Sequence, residues 1–158
     1  MVCVLTQNVD GLHADAGSRQ LIEIHGNVRR LRCNDCMQGR QVPDYAGLQI
    51  PPECPRCCGT LRPDIVLFGE PLPAGAVERL EHVLETGLDL VVSIGTTSVF
   101  PYIAGPVLWA ARHGVPTVEV NPGDTEVSRF VQYRLRMSAS DALHELWYRT
   151  HSREPAED

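Results

Sequence analysis

Two Cys-x-x-Cys pairs, Cys33/Cys36 and Cys54/Cys57, stand 17 residues apart in this chain. That gap falls inside the window of about 15 to 20 residues that separates the two halves of zinc ribbons and related sites. A CxxC turn aims two thiolates at one point, and two such turns supply the four sulfur ligands of a tetrahedral Zn²⁺. Four cysteines close the coordination sphere, so the ion expected on Cys33, Cys36, Cys54 and Cys57 is structural, one per chain, with no position for an activated water. Asn34, Asp35, Pro55 and Arg56 are poor core residues, which argues against four buried free thiols. Cys58 is expected to point away from the cluster, and Cys3, in an apolar run, to be a core residue.

Outside this cysteine-rich stretch the pattern changes. Short β-branched or aliphatic runs at Val2–Leu5, Leu21–Ile24, Leu88–Ile94 and Thr117–Val120 read as buried strands, with a further one at Ile65–Phe68. Helical spacing of Val77, Leu80, Val83 and Leu84 predicts a helix over 76–86 closed by Gly87. A second helix is expected over 101–113, with Pro101 in its first turn, Gly114 after its end and Pro106 kinking it or delaying its start. A third, over 140–147, is expected to be capped by Ser140, with Leu143, Leu146 and Trp147 facing inward.

Alternating strands and helices indicate an α/β fold, a doubly wound Rossmann-like parallel sheet with a small zinc-binding insert. The expected division is residues 1–28 and 64–150 for a partial nucleotide-binding domain, 29–63 for the zinc module, and 151–158 for a disordered tail.

Charge narrows the partners. With 14 basic and 20 acidic residues the formal net charge is −6, so no chain-wide positive field exists to hold a phosphate backbone, and nucleic acid is not expected as a partner. Arg129, Arg134 and Arg136 are the nearest approach to a basic patch, and the spacing of the last two suits the solvated face of a strand. No run approaches the roughly 20 apolar residues needed to cross a bilayer, and the N-terminus has no basic segment followed by an apolar stretch. A cytoplasmic location without a membrane partner is expected, and in that reducing compartment clustered thiols point to metal rather than disulfides.

Polar turns follow the strands where an open α/β sheet binds ligands. Thr6-Gln7-Asn8-Val9-Asp10-Gly11-Leu12-His13 ends the first; alone, it is an ordinary strand-to-helix cap. His25-Gly26 ends the second; an imidazole there can take a proton at neutral pH, and the small glycine would let a ligand approach the backbone.

Taken in order, TQNVDGLH, IHG, the paired CxxC motifs, RPDIVLFGE, IGTTSVFP and EVNP resemble the sirtuin family of NAD-dependent protein-lysine deacylases over about Val4 to Leu146. The family often has isoleucine at Val9 and serine at Thr97. The resemblance implies that Gln7, Asn8 and Asp10 line the nicotinamide pocket, Asp10 near the carboxamide and Asn8 near the ribose and an ordered water. It makes His25 the general base, with Asn8 beside it as a catalytic group. Gly95, Thr96, Thr97 and Ser98 would meet the phosphates and adenosine side of NAD, Asn121 the adenosine ribose and Ala139 the adenine. Val66, Phe68, Gly69 and Glu70 would form an edge to which an acyl-lysine peptide adds as a strand. In the reaction implied, the acyl oxygen displaces nicotinamide from the ribose, His25 activates a ribose hydroxyl, and water releases free lysine and O-acyl-ADP-ribose.

The family's opening strand and glycine-rich loop have no counterpart before Thr6. The chain is therefore expected to be an N-terminally shortened core, poor in NAD binding and turnover alone, with its acyl preference and oligomeric state unreadable. The alternative function is a catalytically dead, zinc-bearing remnant that binds a peptide or partner.

Overall fold

The structure is a computed structural model and describes residues 1–152. It divides into two compact units, Met1–His82 and Val83 onward. Of the expected tail at 151–158, residues 153–158 lie outside the described residues, while His151 belongs to the last helix and Ser152 caps it.

In the first unit, β1 (Cys3–Thr6) pairs in parallel with β2 (Gln20–Glu23), Cys3 opposite Gln20 and Thr6 opposite Glu23. Between them lies a single helical turn, α1 (Leu12–Asp15). The Asp10 carboxylate accepts the Leu12 N–H at 2.9 Å, and Gly11 adopts φ 81°, so the chain reverses at once after the strand. Both strands lie one residue away from their expected positions.

A separate antiparallel sheet follows, with β3 (Gly26–Cys33) between β4 (Gly39–Gln41) and β5 (Leu61–Ile65). Leu31, Cys33, Val42, Cys54 and Leu61 form its core, with Cys36 and Leu48 packed on it. This sheet begins three residues before the expected module and ends two after it, so its outer pairs, Gly26–Ile65 and Asn27–Asp64, lie outside 29–63.

The expected strand at Ile65–Phe68 is not formed; the strand is Leu61–Ile65, and the chain leaves the sheet there. Ladder geometry explains the difference. β3 begins at Gly26, which already pairs with Ile65, so beyond it only the His25 carbonyl remains to accept the Val66 N–H, at 2.9 Å. Apolar character alone cannot extend a strand past the end of its partner.

Helix α2 (Ala74–Thr86) carries the chain out of the first unit. Ala76 and Leu80 are buried and Val77, Val83 and Leu84 half-buried, as the spacing predicts. Gly87, at φ 90°, closes the helix with its N–H on the Leu84 carbonyl.

The second unit is a parallel sheet in which β7 (Thr117–Val120) lies between β6 (Val91–Ile94) and β8 (Tyr133–Leu135). Helix α3 (Pro101–Arg112) supplies Ala104 and Val107 to a core completed by Val127, with Val91, Leu108 and Val131 packed against it. It starts at Pro101 and runs through Pro106. Gly114 follows it at φ 71°, letting the Val115 N–H reach back to the Ala110 carbonyl at 2.9 Å, the bond that closes a Schellman turn.

Helix α4 (Ala139–His151) departs from expectation twice. Its cap is Ser138, not Ser140: Ser138 has extended backbone angles and its hydroxyl accepts the Asp141 N–H at 3.1 Å. Leu143, Leu146 and Trp147 do not face inward but are 49%, 59% and 64% exposed. Ala142 is the helix's one buried residue among those described, so the apolar stripe has no packed surface opposite it. No helix among the described residues is long and apolar enough to cross a membrane.

One position tests the ladder directly. Gly26 has φ 79°, and a Cβ there would lie 2.0 Å from the Asp64 main-chain oxygen; Gly87 has φ 90° but open space around it. Gly87→Ala is expected to cost only backbone strain, about 1 to 2 kcal/mol. Gly26→Ala adds displacement of β5 and is expected to cost at least about 3 kcal/mol, read from urea midpoints at constant m-value. Equal losses at the two positions would refute the close approach.

Candidate functional site

The two CxxC turns converge as their spacing predicts. The sulfurs of Cys33, Cys36, Cys54 and Cys57 all lie within 4.8 Å of one another, with Cys33–Cys57 at 3.5 Å and Cys36–Cys54 at 3.6 Å. A tetrahedral zinc with Zn–S bonds of about 2.3 Å has sulfur–sulfur edges of about 3.8 Å, so the donor set and its spacing fit that ion. Cys33 and Cys54 are buried in the small core, and Cys57 is exposed.

Crowding also separates the acidities of these thiols. A main-chain hydrogen bond from Arg56 is the chief cause that lowers Cys54 to about 7. Cys57 gains a lowering bond from Gly59, yet the Cys36 and Cys33 thiols and burial push it up to about 12. A divalent cation removes that opposition by favouring every thiolate at once.

Cys58 is exposed, adopts φ 59° and stands outside the cluster. Gly59 is a residue that motif reading passed over. A Cβ on it would lie 2.0 Å from Asp35 Oδ2 and 3.2 Å from Cys33 Sγ, so a side chain there would have to displace the Asp35 carboxylate and crowd a cluster thiol. Cys3 is half-buried, and burial raises its thiol pKa.

In the same unit, Gln7 is half-buried and Asn8 and Asp10 are exposed on the turn after β1. The turn is held by main-chain and local bonds: Thr6 Oγ1 accepts the Asn8 N–H at 3.1 Å, and the Val9 carbonyl accepts the Val28 N–H at 2.8 Å. Gly11 is the N-cap of α1 and makes no side-chain cap bond, while one Asp10 carboxylate oxygen accepts the Leu12 N–H. His25 is half-buried in the turn between β2 and β3. Beside it, Gly26 makes room for the Asp64 main chain of β5. Val66 is half-buried, while Phe68, Gly69 and Glu70 are exposed on a turn in which the Glu70 N–H meets the Leu67 carbonyl at 3.0 Å.

The second unit carries the remaining site residues. Gly95 leaves β6 at φ 63° with its N–H on the Val120 carbonyl at 2.9 Å, and Ala139 Cβ lies 4.0 Å from where a Gly95 Cβ would stand. Asn121 Nδ2 donates to the Thr96 carbonyl at 3.1 Å, and the Ser98 N–H donates to Thr96 Oγ1 at 3.1 Å. These residues form one connected set with Thr97, whose carbonyl accepts the Glu126 N–H at 3.2 Å. Ser98 is 1% exposed at φ 55°, and its hydroxyl has no hydrogen-bond partner among the described residues.

Beneath this turn is a network the motifs did not reveal. Glu119, 1% exposed, accepts bonds from Thr125 Oγ1, from Ser128 Oγ at 2.7 Å and from Arg134 Nε at 2.8 Å. Arg134 is therefore not on a solvated face: its side chain is 23% exposed and also pairs with Asp124, while Arg136, more exposed, meets Asp124 at 3.0 Å. The signal available was a carboxylate between Val118 and Val120 in a buried strand, which demands a partner. Arg129 lies over the Phe130 ring at 4.7 Å.

A family model described as the Sir2 family matches residues 1–101. The chain belongs to the Sir2 family. This sirtuin is 44% identical over 143 residues to NAD-dependent protein deacylase 2 of Pseudomonas aeruginosa, covering 89% of this chain and 56% of that protein. It is 46% identical over 146 residues to NAD-dependent protein deacylase 2 of Pseudomonas syringae pv. tomato, covering 90% and 59%. Among solved structures, a Sir2 homologue–NAD complex superposes with a TM-score of 0.85 at 34% identity, over 96% of this chain and 59% of that one. A Sir2–p53 peptide–NAD⁺ structure gives 0.84 at 31% identity, over 95% and 63%. The chain thus spans 56% and 59% of the length of these two curated relatives.

The thiol geometry generates a metal prediction. One Zn²⁺ per chain is expected, and alanine at Cys33, Cys36, Cys54 or Cys57 is expected to release it and unfold the small antiparallel sheet, because structural zinc contributes on the order of 10 kcal/mol in small modules. Cys58→Ser should keep full zinc content. Elemental analysis of a folded preparation without zinc would overturn this.

Proposed function

We propose that this sirtuin carries the chemistry of an NAD-dependent protein-lysine deacylase, with acyl-lysine peptides or proteins as substrates and one structural zinc. The observation that carries the reading is the 2.9 Å bond between the Val66 N–H and the His25 carbonyl. It ties the one histidine at a strand-end turn of the β1–β2 sheet to the segment assigned to peptide docking. NAD, when bound, supplies a ribose carbon from which nicotinamide departs as the acyl oxygen attaches.

His25 is assigned the general base, accepting a proton from a ribose hydroxyl at its ring. Asn8 orients the reacting ribose and water, Asp10 meets the carboxamide, and Gln7 lines the same nicotinamide pocket. Gly95, Thr96, Thr97 and Ser98 are assigned the phosphate and adenosine side of NAD, Asn121 the adenosine ribose and Ala139 the adenine. The residues present fit those tasks. A glycine turn rich in hydroxyls offers donors to phosphate oxygens, and the buried Ser98 hydroxyl retains its whole bonding capacity. Val66, Phe68, Gly69 and Glu70 present the peptide edge. The zinc holds β3 and β5 in register and takes no part in the chemistry. Clustered thiols suit a reducing, cytoplasmic compartment, and the net charge of −6 disfavours nucleic acid.

The test is turnover of an acetyl-lysine peptide with NAD, following nicotinamide and deacylated peptide together. The two are expected in equal amounts, and His25→Ala is expected to lower the rate by about 10²- to 10⁴-fold, the usual contribution of a positioned base, while NAD binding persists. An unchanged rate in His25→Ala removes the role given to His25. A folded, zinc-loaded preparation that neither binds NAD nor releases nicotinamide supports the peptide-binding remnant instead.

A further inference from the structure

The turn assigned to peptide docking is not held by the sheet, since β5 ends at Ile65. Beside the main-chain bonds of Val66 to His25 and of Glu70 to Leu67, an ion pair placed across the turn holds it. Arg62, on β5 and with its side chain only 19% exposed, donates from Nη2 to Glu70 Oε1 at 2.7 Å and from Nη1 to the Ile65 carbonyl at 3.3 Å. The second oxygen of Glu70 accepts the Leu67 N–H at 3.1 Å. Both carboxylate oxygens are thus engaged, one by the strand before the turn and one by the turn itself. These bonds, that to Leu67 foremost, hold the Glu70 carboxyl below its ordinary pKa.

Between the two anchors lies Phe68, fully exposed, whose main-chain N–H and C=O make no hydrogen bond among the described residues. Gly69 follows at φ 86°. A strand added by a ligand requires unpaired main-chain groups at a fixed spacing and direction. An exposed four-residue turn would lose that geometry to conformational entropy unless something immobilised it. A charge-assisted, two-point clasp is suited to that task, and the guanidinium fork can bridge strand and turn together where a lysine could not.

We propose that Arg62 and Glu70 are positioning residues for the acyl-lysine substrate: they preset the Val66–Gly69 turn, touching neither NAD nor the reacting atoms. The proposal rests on the peptide-docking reading above. It gives the FGE glutamate, beside its place on that edge, a structural task through its bonds to Leu67 and Arg62.

The experiment pairs amide hydrogen exchange at Leu67 and Val66 with binding of a labelled acetyl-lysine peptide to the zinc-loaded chain. In Glu70→Ala, Leu67 exchange should accelerate and Val66, bonded to His25, should stay protected; peptide Kd should rise by about tenfold, as expected for loss of a hydrogen bond to a charged group. Glu70→Gln keeps an acceptor for Leu67 and should fall between wild type and Glu70→Ala, and Arg62→Gln should match Glu70→Ala. Zinc content, which reports the folded sheet, should be unchanged in all three. Accelerated Leu67 exchange with an unaltered Kd overturns the positioning role alone, and so does unaltered exchange. A wild-type chain that does not bind the peptide while Leu67 responds to Glu70→Ala overturns the docking reading, and the positioning role with it.

Discussion

Much of the first unit hangs on the antiparallel pairing of β3 with β5. At one end of that ladder Cys33 faces Leu61, beside the four thiols; at the other, Gly26 faces Ile65, beside His25. One strand pair therefore joins the four-thiol cluster to the turn that carries His25. The approach is closest at Gly26, where a side chain of any size would collide with the Asp64 carbonyl. Four clustered thiols mark the far end, and a main chain without a Cβ permits the near end to close.

In the second unit a buried carboxylate plays the organising part. Burying Glu119 costs several kcal/mol unless charge and hydrogen bonds compensate, and Thr125, Ser128 and Arg134 provide them. Those partners come from the loop after β7 and from β8, so the compensation fixes the loop's path. Its Glu126 N–H then closes on Thr97. A charge inside the sheet thereby shapes the turn at its edge, and Arg134 bridges that buried carboxylate to the exposed Asp124.

How far the sequence revealed this differs by element. The thiol cluster and helices α2 and α3 were legible because their signals are strictly spaced: paired cysteines, an apolar stripe, glycines where φ turns positive. Strand β3 was not, since Arg29, Arg30 and Arg32 give it a polar look. In the structure they pair with Asp15, Glu23 and Asp64, partners that lie far along the chain or across a turn. Three-residue strands such as β4 and β8 are too short to show a period. The segment Ile65–Phe68 failed in the opposite sense: its composition suits a strand, but its ladder partner has ended. The cap of α4 went to Ser138 over Ser140 because backbone angles, invisible in composition, decide which hydroxyl faces the open N–H groups.

Satisfaction of polar groups separates the side chains that build the turns from those with bonding capacity to spend. Asn121 uses one amide hydrogen on the Thr96 carbonyl and one lone pair on the Gly123 N–H. An amide side chain has two of each, so it can hold the turn and still meet a ribose hydroxyl. Asp10 likewise commits one oxygen only, to the Leu12 N–H. Ser98 stands at the other extreme, buried at positive φ with its hydroxyl spending nothing inside the described residues. A buried hydroxyl without a partner carries a desolvation cost of about 1 to 3 kcal/mol. Of the residues on the β6 turn, it is therefore the one for which an acceptor such as a phosphate oxygen would recover the most free energy. Thr97, exposed, gains less from the same contact because water already serves it.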